Sequence, residues 1–166
     1  MPNARLLHGL TMGTIKTGLV KGTTSTYTTT VTSAGMINGK YVTGLTAQTN
    51  TATPTTDAVT GAAFVALQDN EATVLVIGQK ADGTIQMAQG SVVPTEVGVT
   101  TTAGAFVNAP QFPLLPDDFM VLGYNLVRTA PSASDFTAGT SSWTATGITA
   151  SEFVQCGVLP DRPQTS

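Results

Sequence analysis

Short apolar runs separated by turn residues set the pattern of this chain, and no stretch carries a convincing helical stripe. Ser25–Thr32 is β-branched, with Tyr27, Thr29 and Val31 on one face. Met36-Ile37-Asn38-Gly39-Lys40-Tyr41-Val42 places Asn-Gly between two strand-like pairs. Asn-Gly tolerates positive φ at both central positions of a type I′ turn, so a hairpin is predicted here. Thr46–Thr60 is Thr, Ala and Asn with Pro54, shows no period, and reads as a long exposed loop. Ala62–Leu67 and Thr73–Gln79 read as strands joined by the polar turn Gln68-Asp69-Asn70-Glu71. Asp82-Gly83 closes a second hairpin onto Thr84–Ala88. Further strands are expected at Ser91–Pro94, Val97–Thr102, Phe119–Val127, Trp143–Ile148 and Phe153–Val158, with a loop over Ser132–Ser142 and a tail at Pro160–Ser166. Seven to ten short strands spaced near ten residues predict an all-β, short-stranded antiparallel β-sandwich or barrel.

The first 22 residues differ from the rest. Leu6, Leu7, Leu10, Met12, Ile15, Leu19 and Val20 are apolar, but Gly9, Gly13, Gly18 and Gly22 recur between them and oppose a helix. The expected organisation is an extended N-terminal arm over 1–22 and a β-rich domain over 23–166. An edge strand on the domain's own core is the alternative for 1–22.

Composition sharpens the class. About thirty Thr, 17 Gly and 9 Pro suit β-structure and turns. Charged residues are 10% of the 166, against roughly 25% in an average soluble domain. Seven Lys+Arg in a chain of net charge −3 provide no footprint for nucleic acid or for an anionic membrane. A mean hydropathy of +0.16 with 41% hydrophobic residues argues against disorder. No apolar run approaches a membrane span, and no signal peptide is recognised, so synthesis in the cytoplasm is expected. A surface with so few charges is poorly protected against association, which favours contact with partners.

Candidate chemistry is sparse. The lone His8 lies in the Gly-rich arm, far in sequence from any nucleophile motif, and no Gly-x-Ser-x-Gly elbow or phosphate-binding loop occurs. The single Cys156 excludes an intramolecular disulfide and reads as a small buried hydrophobe. Asp69 with Glu71, and Asp117 with Asp118, are the paired carboxylates, but neither pair lies in a calcium-ligand loop, and Asp after Pro116 is ordinary turn chemistry. The expectation is therefore no enzyme, no cofactor and no metal. Trp143, Tyr124 and the loop 46–60 are candidates for a carbohydrate- or ligand-binding module, with a half-buried strand tryptophan as the blander alternative.

Three stretches carry a resemblance: TVLVIGQKADGTIQMAQG (73–90), PLLPDDFMVLGYNLVRT (113–129) and VLPDRP (158–163). Over roughly residues 62–163 the chain resembles small β-rich virion proteins of tailed bacteriophages, of the decoration (cement) or head-fibre kind. The resemblance implies a structural, non-enzymatic protein on the capsid surface that binds the major capsid protein across subunit joints, commonly as a trimer. A head-fibre or tail component is the related alternative. Candidate interface residues are Leu6, Leu7, Leu10 and Ile15 as apolar anchors, with Arg5 and Arg162 near the chain ends as polar contacts.

Overall fold

The computed structural model describes residues 11–44, 46–133 and 135–165. Those residues form an all-β protein of three antiparallel sheets. The strands are β1 (Met12–Gly13), β2 (Val20–Lys21), β3 (Thr26–Thr29), β4 (Ala34–Ile37), β5 (Lys40–Thr43) and β6 (Gln48–Ala52), then β7 (Glu71–Gln79), β8 (Ile85–Gln89), β9 (Val93–Pro94), β10 (Met120–Thr129), β11 (Ile148–Ala150) and β12 (Val154–Gln155).

The long strands β7 and β10 pair antiparallel at the centre of a six-stranded sheet. Strands β8 and β9 lie along the free side of β7, and β11 and β12 along that of β10. The apolar run Val74-Leu75-Val76-Ile77 does not alternate with polar residues because both of its faces are covered. Val74 and Val76 pack on one side with Ala88, Val121, Tyr124 and Leu126. Leu75 and Ile77 pack on the other, in two adjoining clusters. A bulge between Val121 and Gly123 inserts Leu122 as an extra residue. It reverses the parity of β10, so Leu122 shares a cluster with Met120 and Ile77, whereas Tyr124 and Leu126 face the opposite side.

Two three-stranded sheets, β1-β4-β5 and β2-β3-β6, contribute Ile37, Val42 and Tyr27 to the cluster around Ile77 and Leu122, and Leu19, just before β2, joins them. Beside them, Phe64, Leu67, Phe136 and Trp143 fill the space over Leu75 and Val127. The opposite face is roofed by irregular chain, with Phe106, Phe112, Leu115 and Leu159, and by Val154 of β12. Asn125 is fully buried between these layers, and neither atom of its amide has a hydrogen-bond partner among the described residues.

Both predicted hairpins form. Asn38 and Gly39 take φ of 50° and 76° between β4 and β5, the left-handed pair that a type I′ turn demands. Between β7 and β8 a turn closed by Gly83 N–H donating to the Lys80 carbonyl carries Gly83 at positive φ. Thr46–Thr60 is not loop throughout: β6 pairs with β3 through Thr26↔Ala52 and Tyr27↔Thr51. Its residues are half-buried or exposed, so they leave no apolar period to read. Ala62–Leu67 makes only single bridges, Ala63 to Thr56 and Leu67 to Phe136, and acts as a plug that buries Phe64 and Leu67. Trp143–Thr146 is turn rather than strand, and Val97–Thr102 is a tight projection closed at Val99↔Thr102.

The extended arm over 1–22 is not supported. Residues 1–10 lie outside the described residues, and 11–22 are built into the domain: β1 pairs with β4, β2 pairs with β3, and Leu19 is 1% exposed. The glycines serve close approach here. Gly13 N–H donates to the Gly157 carbonyl at 3.0 Å, and a Cβ on Gly157 would stand 2.0 Å from the Gly13 carbonyl oxygen.

Candidate interaction surface

The described residues hold no cluster of three or more metal-ligating side chains. The carboxylate pairs are spent locally. Glu71 accepts from the Gln68 backbone N–H at 2.7 Å, Asp69 is exposed, and Asp118 stands 4.0 Å from Lys80 at the surface. His8 lies outside the described residues. Cys156 is half-buried against the apolar roof, and desolvation pushes its thiol up to about 11, so it is a neutral thiol at physiological pH.

Trp143 and Tyr124 are core residues. Trp143 is 2% exposed, its indole N–H donates to the Thr26 carbonyl at 2.9 Å, and its ring packs on Phe136 and Phe153. Tyr124 is fully buried, stands edge-on to Phe112, and its hydroxyl accepts from the Gln164 backbone N–H. Neither ring can stack on a sugar where it stands.

Of the predicted interface residues, Arg5, Leu6, Leu7 and Leu10 lie outside the described residues. Ile15 is 45% exposed on the connection between β1 and β2, beside a 150 Å³ hollow that Leu122 and Cys156 also line. Arg162 is exposed at the rim of a 460 Å³ open cleft between residues 109–112 and 161–163. The structure does not bring Ile15 and Arg162 into one lining. The segment Pro160–Thr165 lies against the domain, with Pro163 buried and Gln164 tied to Tyr124.

The surface that stands out was not singled out by sequence reasoning. Residues 95–107 form a finger whose base is bridged at Thr95↔Phe106 and whose tip is bridged at Val99↔Thr102. Val97 and Val99 on this finger are 81% and 75% exposed, and Val107 is exposed as well. Its polar base is held firmly. Arg128 lies 5.0 Å over the Phe106 ring and donates to the Gly104 carbonyl at 2.7 Å. Gly98 N–H donates to Asn70 Oδ1, and Ser132 N–H to the Thr100 carbonyl. The valines are thus presented to solvent by a fixed backbone, an arrangement suited to docking without a large ordering cost. The sequence predicts a short strand over 97–102; among the described residues the structure gives it no partner strand beyond the Val99↔Thr102 bridge at the tip. A second apolar surface, a 230 Å³ groove, lies between Pro113–Leu115 and Val158–Leu159.

No family model, curated protein or solved structure matches this chain.

Proposed function

We propose that this chain is a structural virion protein of a tailed bacteriophage: a decoration protein that binds the outside of the capsid and stabilises contacts between major capsid subunits, as a homo-oligomer and most simply a trimer. The observation that carries this reading is the finger 95–107, a fixed apolar projection on a domain with few charges. A catalytic protein would need converging polar groups; a cement needs apolar contact presented by a stiff frame. The stretches that carry the resemblance support it as well. Residues 73–90 supply β7 and β8, 113–129 supply β10 and its lead-in, and Leu159 of 158–163 packs on the roof of the same sheet. The role needs no cofactor, metal or turnover, and it places the protein on the virion surface.

The test is sedimentation with expanded capsids of a tailed phage that lack their own decoration protein, together with absolute mass by light scattering. Saturable binding at a fixed ratio to capsid subunits is expected, and the double variant Val97→Asp/Val99→Asp is expected to weaken it at least about tenfold, since two apolar contacts are replaced by desolvated charges. A chain that stays in the supernatant at micromolar concentration, or a double variant that binds like the parent, would overturn the reading.

A further inference from the structure

Among the described residues the three most exposed large apolar side chains are Leu114 at 87%, Val97 at 81% and Val99 at 75%. They belong to two surfaces of opposite shape. Val97 and Val99 stand on the finger 95–107, and Leu114 lines the groove that Val158 and Leu159 close from the other side. Neither surface carries a charge: residues 97–103 of the finger are Val, Gly, Thr and Ala, and the groove is lined by Pro, Leu and Val. At 230 Å³ the groove is smaller than the roughly 300–1,000 Å³ of pockets that enclose a drug-sized ligand, and it suits small apolar side chains better. An apolar knob and an apolar hollow on one chain are the two halves of a contact between copies.

The two halves do not meet within one molecule. The finger hangs from the end of the six-stranded sheet where Ala72 pairs with Arg128, held by Thr95 N–H donating to the Asn70 carbonyl and by Arg128 donating to the Gly104 carbonyl. The groove lies at the other end, where Gln79 pairs with Met120. Leu115 comes shortly before β10, and Val158 follows Gly157, whose carbonyl accepts from Gly13 N–H beside the Val121 carbonyl. The ten residues of β10 set these ends about 30 Å apart. The finger does not swing across that distance, because Gly98 N–H donates to Asn70 Oδ1 and Ser132 N–H to the Thr100 carbonyl. Thr100, a β-branched residue, sits at φ 49° in the tip, a strained conformation of the kind retained where the shape is used. We propose that Val97 and Val99 of one copy seat in the groove between Pro113–Leu115 and Val158–Leu159 of a second copy, reciprocally in a pair or head to tail in a ring. A stiff finger loses little freedom on seating, and a net charge of −3 per chain opposes the approach only weakly. The inference rests on the homo-oligomer half of the function proposed above and names its contact; it does not depend on a capsid.

Absolute mass by light scattering on the full chain, at about 100 μM, tests it. The proteins are the parent, the finger variant Val97→Asp/Val99→Asp, the groove variant Leu114→Asp/Val158→Asp, and the control Tyr41→Asp at an exposed position on β5. Parent and control are expected at a defined multiple of 17.0 kDa, and each double variant at the mass of one chain with an unchanged thermal melt. An equimolar mixture of the two double variants is the decisive sample. One chain keeps its groove and the other its finger, so a 1:1 dimer is expected, associating at least about tenfold more tightly than either variant does with itself. A monomeric parent, an oligomer that survives either double variant, or a mixture that stays monomeric would overturn the inference. Where an aspartate variant melts early, Val99→Cys with Leu114→Cys on a Cys156→Ala background reads the same contact. A bismaleimide link between chains is expected, and a link within one chain, or two free thiols, would overturn it. Sedimentation with capsids keeps the two proposals apart: an oligomer that stays in the supernatant overturns the capsid role alone, and a monomer that binds capsids overturns this contact alone.

Discussion

Trp143 offers the sharpest test of how this fold is held together. Its ring lies between Phe136 and Phe153, and its indole N–H reaches the Thr26 carbonyl on β3, so one side chain joins the core to the β2-β3-β6 sheet. Replacing it with Phe removes that hydrogen bond and part of the ring. The Thr26 carbonyl keeps a second donor, Gly22 N–H at 2.8 Å, so no buried acceptor is stranded and the polar loss stays near 1 kcal/mol. The space left by the smaller ring adds about 1–2 kcal/mol, because neighbours on three sides are already packed. Trp143→Phe is therefore expected to lower stability by about 2–3 kcal/mol, a large part of the roughly 5–15 kcal/mol available to a domain, and Tm by about 5–10 °C. Urea unfolding followed by far-ultraviolet circular dichroism measures this, with an unchanged m-value expected. The parent's single tryptophan should emit in the blue and resist iodide quenching. A loss below about 0.5 kcal/mol, or ready quenching of the parent, would refute the placement of Trp143 and reopen a solvent-facing role for it.

Gly157→Ala would set a Cβ 2.0 Å from the Gly13 carbonyl oxygen, so it should cost about 2 kcal/mol or more and expose the β1 amides to hydrogen exchange first. Equal exchange in parent and variant would show that β1 does not depend on that approach. Asn125→Leu removes a fully buried amide that has no hydrogen-bond partner among the described residues and should leave the urea midpoint level or higher; a drop of more than about 1 kcal/mol would mean the amide is satisfied. Burial raises the Cys156 thiol to about 11 and also raises the Tyr27 hydroxyl. The unfolded chain therefore loses these protons first as pH rises, and the stability they support, complete below about pH 9, declines through pH 11. Native Cys156 should accordingly react slowly with Ellman's reagent at pH 8, and fast labelling in the folded state would contradict its burial.

The parts of the fold that were legible in the sequence are those where local chemistry and tertiary demand agree. Asn38-Gly39 and Asp82-Gly83 mark real hairpins because positive φ is needed at Asn38, Gly39 and Gly83, and those residues supply it. The run Val74–Ile77 reads as part of an apolar strand and is one, buried on both faces. The misreadings share a cause: the same local signal serves two tertiary ends. The threonines of β6 resemble a loop because its side chains stay largely wet, although its backbone pairs with β3 across a register shift. Val97–Thr102 resembles a short strand because its valines and threonines are β-branched, but that local signal does not say that anything lies against Val97 and Val99. Trp143 resembled a strand residue or a sugar platform, and only the three-dimensional neighbourhood of Phe136, Phe153 and Thr26 makes it a core wedge.

Glycine in the first 22 residues misled in the same way. Four glycines between leucines suggest a loose arm, yet Gly13 lies against Gly157, and Gly18, at φ 68°, donates its N–H to Gln155 Oε1 at 2.8 Å. Missing side chains there admit another backbone, so they fasten the segment. That bears directly on how oligomerisation should be tested. Removing residues 1–22 would strip β1, β2 and the buried Leu19 from the core, and any loss of assembly would then reflect unfolding. A chain beginning at Thr11 keeps every described strand. Light scattering on that chain, beside the full one, asks about Leu6, Leu7 and Leu10 alone: an unchanged oligomer places the subunit contacts on the folded domain, with the valine finger the first surface to mutate, and a fall to monomer places them on the leucines.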